Sequence, residues 1–113
     1  MIKIYHNPRC SKSRQGLAIL EESEKDFEII KYLDTPLSEK ELTDIVSLLK
    51  IKPIDLVRKN EKIWKENFKG KELNDINIIK AMVENPKLIE RPIVVNENKA
   101  VIGRPPENIK NIV

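Results

Sequence analysis

Between Ile2 and Leu49 the chain reads strand, helix, strand, helix, and this alternation restricts it to a small set of folds. Ile2 and Ile4 belong to a short β-branched run that stops at the turn signal His6-Asn7-Pro8. Leu17, Ile19 and Leu20 then give partial helical spacing from Ser11 to about Glu24, with Ser11 or Ser13 placed to cap the start. Phe27 to Leu33 is β-prone and closes at Asp34-Thr35-Pro36. Ser38-Glu39-Lys40-Glu41 has capping-box spacing, and Leu42, Ile45, Val46 and Leu49 follow at i, i+3, i+4 and i+7, the stripe of an amphipathic helix. Two strands joined through a helix in this way pair in parallel by a right-handed crossover.

The rest of the chain changes character. Pro53 to Glu84 predicts several short helices, Pro53 occupying a first helical turn and Asn74 capping Asp75 to Val83. Ile93-Val94-Val95, the turn Asn96-Glu97-Asn98-Lys99 and Ala100-Val101-Ile102 predict a hairpin that ends at Gly103. A last short helix is expected from Pro105 to Ile112, lying on the sheet. The expected class is therefore α/β: a βαβ unit, a helical insertion and a C-terminal ββα unit. With 113 residues and 40% apolar side chains the chain has material for one core, so a single domain over residues 1–113 is expected.

Charge and composition exclude several functions. The 21 Lys and Arg and 18 Asp and Glu are interspersed, leaving +3, and aromatic residues make up only 4%. Without a basic strip carrying aromatics, nucleic-acid binding is not expected. No apolar run approaches the length of a membrane span, and Met1-Ile2-Lys3-Ile4-Tyr5 lacks the long apolar core of a secretory leader. The single cysteine cannot form an internal disulfide, and a free thiol suits a reducing compartment. A cytoplasmic monomer with no bound cofactor or membrane partner is the resulting expectation.

That cysteine, Cys10, falls where a helix begins. Unpaired backbone N–H groups and the helix dipole there favour thiolate over thiol, and Arg9, Lys12 and Arg14 add positive charge. Free cysteines are most often small buried hydrophobes, but Asn7, Pro8, Arg9, Ser11, Lys12 and Ser13 form a polar, turn-forming setting. Position 13 is serine, so a Cys-x-x-Cys dithiol is excluded and any second thiol must come from outside. A cysteine-phosphatase loop would need arginine where Gly16 stands. Metal binding is disfavoured by one cysteine and one histidine.

Arginine is used sparingly against a lysine background, at Arg9, Arg14, Arg58, Arg91 and Arg104. The last three stand in Val57-Arg58-Lys59, Arg91-Pro92 and Gly103-Arg104-Pro105. A guanidinium fork binds an oxyanion bidentately where lysine offers a point charge; an arginine taken singly more often makes a surface ion pair, and the joint placement of these three beside turns weakens that reading. His6 is open to two readings, a donor or positive group beside the cysteine loop, or a structural histidine. Trp64 and Phe68, four residues apart, fit helix-face packing better than a cofactor site.

His6-Asn7-Pro8-Arg9-Cys10-Ser11-Lys12-Ser13-Arg14 resembles the active-site loop of the glutaredoxin-dependent arsenate reductases. Leu56-Val57-Arg58-Lys59-Asn60, Glu90-Arg91-Pro92-Ile93-Val94-Val95 and Gly103-Arg104-Pro105 resemble the three further segments that carry that family's arginines. The resemblance implies a thioredoxin-like fold with a cis Pro92 peptide facing the cysteine. It also implies roles: Cys10 attacks arsenate, Arg58 helps bind it, Arg91 and Arg104 hold the oxyanion or product, and His6 and Ser13 tune the thiolate, with Arg14 and Pro92 as supporting residues. Glutathione and glutaredoxin are then the external thiol donors. The same superfamily includes redox-sensing transcriptional regulators of the Spx type that bind RNA polymerase, and glutathione-dependent thiol reductases; possession of all the matched arginines favours the arsenate reductase.

Overall fold

A computed structural model describes residues 1–113. The chain forms two compact units, one made of Met1–Thr35 and Arg91–Val113, the other of Pro36–Glu90.

The first unit is built on a four-stranded sheet in the order β2-β1-β3-β4. Strand β1 (Ile2–Tyr5) is central, β2 (Phe27–Ile30) pairs with it in parallel, and β3 (Ile93–Asn96) pairs with it antiparallel. Strand β4 (Lys99–Ile102) completes a hairpin with β3 across Glu97 and Asn98, a tighter turn than the sequence suggests. Helix α1 (Ser11–Glu22) makes the crossover from β1 to β2 and turns Leu20 inward. Ile2, Ile4, Leu20, Val94 and Ile109 form the buried cluster, each fully or almost fully removed from water. Such a cluster stabilises the unit by about 2 kcal/mol per large side chain, measured against exposure. A 3-10 turn at Pro106–Asn111, rather than an α-helix, carries Ile109 into that cluster. The chain thus has the expected thioredoxin-like βαβ and ββ-helix order.

Two boundaries and one cap differ from expectation. The β-prone run ends at Ile30 because Asp34 and Thr35 both donate to the Lys31 carbonyl, closing a turn before Leu33 can pair. Helix α1 stops at Glu22, and Glu24 takes a left-handed conformation at φ 62°. Neither Ser11 nor Ser13 caps α1; the N-cap is Cys10 itself, with no side-chain cap hydrogen bond. Ser13 is fully buried and its hydroxyl is used elsewhere.

The second unit is helical. Helix α2 (Glu39–Leu49) has the complete capping box: Ser38 Oγ accepts from Glu41 N–H at 3.1 Å and Glu41 accepts from Ser38 N–H at 3.1 Å. Its face of Leu42, Ile45 and Val46 packs toward α4 (Asp75–Glu84), whose Ile78, Ile79, Ala81 and Met82 are buried. Asn74 caps α4 by accepting from Asn77 N–H at 2.8 Å. Between them lie a 3-10 turn at Pro53–Leu56 and α3 (Lys62–Asn67), from which Trp64 stacks on Phe68 with centroids 5.4 Å apart. An isolated bridge joins Val57 to Ile89, reinforced by Arg58 N–H to the Leu88 carbonyl at 2.7 Å and Glu90 N–H to the Leu56 carbonyl at 2.9 Å. No helix is long and apolar enough to cross a membrane.

Candidate active site

The sheet register brings three distant segments of the first unit to one edge. Tyr5, the last residue of β1, pairs with Ile93, the first of β3, and Ile93 pairs with Ile102, the last of β4. The residues just beyond those positions, His6 to Cys10, Arg91-Pro92 and Gly103-Arg104, therefore converge. Nothing local could achieve this: the contact between Arg104 and Cys10 spans 94 positions of sequence.

The cysteine loop is held by its own backbone and by two short side chains. Cys10 N–H donates to the Asn7 carbonyl at 3.0 Å, and Arg9 N–H donates to Asn7 Oδ1 at 3.0 Å. Asn7 N–H donates to Ser13 Oγ at 3.0 Å, while His6 Nδ1 lies 2.7 Å from the same hydroxyl. His6, Asn7 and Ser13 are all buried, so these bonds form away from competing water. On the outer side Arg14 Nη1 donates to the Pro8 carbonyl at 3.0 Å.

Cys10 is half-buried at the first turn of α1. Burial alone would raise its thiol pKa, but the Ser13 N–H, the Arg104 guanidinium, the Lys12 N–H and the charge of Arg91 outweigh it, and the net shift is downward. Arg104 Nη1 stands 3.8 Å from Cys10 Sγ and also donates to the Arg91 carbonyl at 3.0 Å. Arg91 and Pro92 are buried. The Arg91–Pro92 peptide is cis, as the resemblance implies, and so is Arg104–Pro105. The arrangement favours the thiolate form next to guanidinium and N–H donors, which suits attack on an anionic electrophile.

The other sequence-derived cations have different neighbours. Lys12 assists the sulfur through its backbone N–H, and Arg14 is engaged with the loop backbone at Pro8. Arg58 belongs to the second unit, where its Nε lies 3.7 Å from Glu61 Oε2. Sequence reasoning named Asn7 only as part of the turn, whereas its carbonyl, amide and side chain all shape the loop; its place between a strand end and Pro8 was the available signal. It also assigned Gly16 and Gly103 no packing role. A glycine inside a helix costs about 0.5–1 kcal/mol relative to alanine, which marks Gly16 as a position with a packing reason. No cluster of three His, Cys, Asp or Glu side chains exists that could hold a metal ion.

Burial, followed by the charge of Lys31, lowers the His6 pKa below its ordinary value near 6.5, partly opposed by the Ser13 hydrogen bond. A base whose folded pKa is depressed binds fewer protons folded than unfolded. Its contribution to stability is therefore complete above the unfolded value and declines as pH falls from about 6.5 toward the lower folded value. His6→Gln is expected to flatten the fall of Tm between pH 7 and pH 5 relative to wild type; parallel curves would contradict a neutral buried His6.

The chain is similar to known proteins along nearly its whole length. The pattern of the ArsC family matches residues 5–112. The chain is 42% identical to a protein named arsenate reductase from Neisseria meningitidis serogroup A, across 99% of this chain and 97% of that one. It is 47% identical to YfgD of Escherichia coli (strain K12), across 99% and 96% of the two chains. Among solved structures, one titled arsenate reductase from Vibrio cholerae superposes with a TM-score of 0.94 at 44% identity, over 99% of this chain and 97% of that one.

Proposed function

This chain belongs to the ArsC family, and we propose that it is an arsenate reductase that uses Cys10 as its single nucleophile and draws reducing thiols from glutathione and glutaredoxin. The observation that carries the reading is the meeting of a lowered-pKa cysteine with Arg104 and Arg91. The relatives that bear the name arsenate reductase support the oxyanion assignment.

Arsenate is a phosphate-like anion, so an approaching thiolate meets like charge and needs positive groups to offset it. In the proposed reaction Cys10 Sγ attacks arsenic and one arsenate oxygen leaves as water, giving a cysteine-bound pentavalent arsenic. Arg91 and Arg104 hold the oxyanion during this step. A glutathione thiolate then forms a bond to Cys10 Sγ, and the sulfur–arsenic electron pair departs on arsenic, which leaves as trivalent arsenite. Glutaredoxin reduces the resulting mixed disulfide and restores the Cys10 thiol. Two electrons thus pass from two external thiols to one arsenic. The chain's single cysteine fits a scheme in which the second sulfur is supplied from outside.

The test is NADPH consumption coupled through glutathione reductase, with arsenate, glutathione and glutaredoxin omitted in turn. Turnover is expected only when all are present. Reduction of small disulfides without any response to arsenate would instead indicate a thiol reductase.

A further inference from the structure

Gly16 and Gly103 press against the same two side chains, and neither position has room for one more carbon. A methyl group on Gly16 would stand 2.9 Å from Pro92 Cγ and 2.9 Å from Ile109 Cδ1. On Gly103 it would stand 2.8 Å from Pro92 Cγ and 3.0 Å from Ile109 Cδ1. Backbone conformation does not call for glycine at either place, since the positive-φ glycine of the chain is Gly70. What both positions need is space. The Ile109 tip can rotate away, but the Pro92 ring is closed onto its own backbone, so a displaced ring carries the peptide with it.

That peptide leads to the sulfur. Gly103 N–H donates to the Pro92 carbonyl at 2.8 Å. The Arg91 carbonyl, on the other side of Pro92, accepts from Arg104 Nη1 at 3.0 Å, and this nitrogen lies 3.8 Å from Cys10 Sγ. Gly16 is six positions along α1 from Cys10, on the buried stripe that also carries Ser13 and Leu20. We propose that Gly16 and Gly103 are positioning residues of the site: by letting α1 and the end of β4 close on the Pro92 ring, they fix the Arg91 carbonyl that aims the Arg104 guanidinium at Cys10. The proposal rests on the reading of Cys10 as nucleophile and Arg104 as its anion-facing partner.

Gly16→Ala and Gly103→Ala test it through two readouts, the pH profile of Cys10 alkylation by iodoacetamide and the arsenate kinetics. Displacing Arg104 removes a charged donor from the thiolate, so alkylation at pH 7 is expected to fall roughly threefold in both variants. The arsenate kcat/KM is expected to fall at least about tenfold, since small misplacements of oriented groups are costly. Leu20→Ala serves as the comparison for stability, because it opens a cavity in the same core without adding a carbon against Pro92; it should lower Tm and leave the alkylation profile at wild type. Should Gly16→Ala fold poorly, Gly16→Ala with Ile109→Val removes the isoleucine contact and keeps the clash with Pro92, and the slower alkylation should persist. Folded glycine variants that alkylate at the wild-type rate at every pH would overturn the proposal, as would a Leu20→Ala profile shifted equally. Absence of arsenate turnover in the wild type counts against the reductase reading alone, and the alkylation profile then decides the positioning claim by itself.

Discussion

Cys10→Ser is expected to lower arsenate reduction by about 10⁴-fold or more, to the level of the uncatalysed reaction with glutathione. A serine hydroxyl is un-ionised at neutral pH and offers no sulfur for the mixed disulfide, so both the attack and the reductive step are lost. The fold should not suffer, because the replacement is nearly isosteric at a half-buried N-cap whose side chain makes no capping bond. Its Tm should lie within a few degrees of wild type, corresponding to less than about 1 kcal/mol. Substantial arsenate turnover by a folded Cys10→Ser protein would remove the cysteine from the mechanism.

Arg104→Lys is expected to lower kcat/KM by about 10–100-fold despite conserving the charge. One guanidinium nitrogen already serves two neighbours, the Arg91 carbonyl at 3.0 Å and Cys10 Sγ at 3.8 Å, and the planar group carries its five N–H donors in a fixed fork. An ammonium on a flexible stem cannot hold the carbonyl and present a parallel pair of donors at once. Steady-state kinetics on arsenate decide the matter, and a lysine variant with wild-type kcat/KM would show that charge alone suffices.

The parts of the fold that were legible in the sequence are those dictated by near neighbours. The capping box at Ser38 and the stripe Leu42, Ile45, Val46 define α2 because every interaction needed lies within one or two turns. The Asn74 cap and the hairpin strands were legible for the same reason. Ser13 was misread because sequence shows a capping residue type but not a competing partner; burial against His6 and Asn7 claims its hydroxyl. The extent of β2 failed similarly, since Leu33 has strand propensity yet the turn at Lys31 ends pairing.

The cysteine at a helix start was readable from the Asn7-Pro8 turn and the following periodicity. The contributions of individual cations were not, because each depends on where a long side chain ends. Arg14 reaches back to Pro8, and Lys12 acts through its amide, while Arg104 arrives from the far end of the chain. Gly16 illustrates the opposite case: its type was visible, but the crowding by Pro92 and Ile109 that explains it exists only after β3, β4 and the 3-10 turn have assembled.

The most direct measurement of the central claim is a single turnover without glutaredoxin, mixing the protein with arsenate and glutathione and following both arsenite and the intact protein mass. One arsenite per chain, released as Cys10 becomes glutathionylated in an arsenate-dependent step, is the predicted result. Repeated arsenite release while Cys10 remains a free thiol, or glutathionylation that proceeds equally without arsenate, would contradict it.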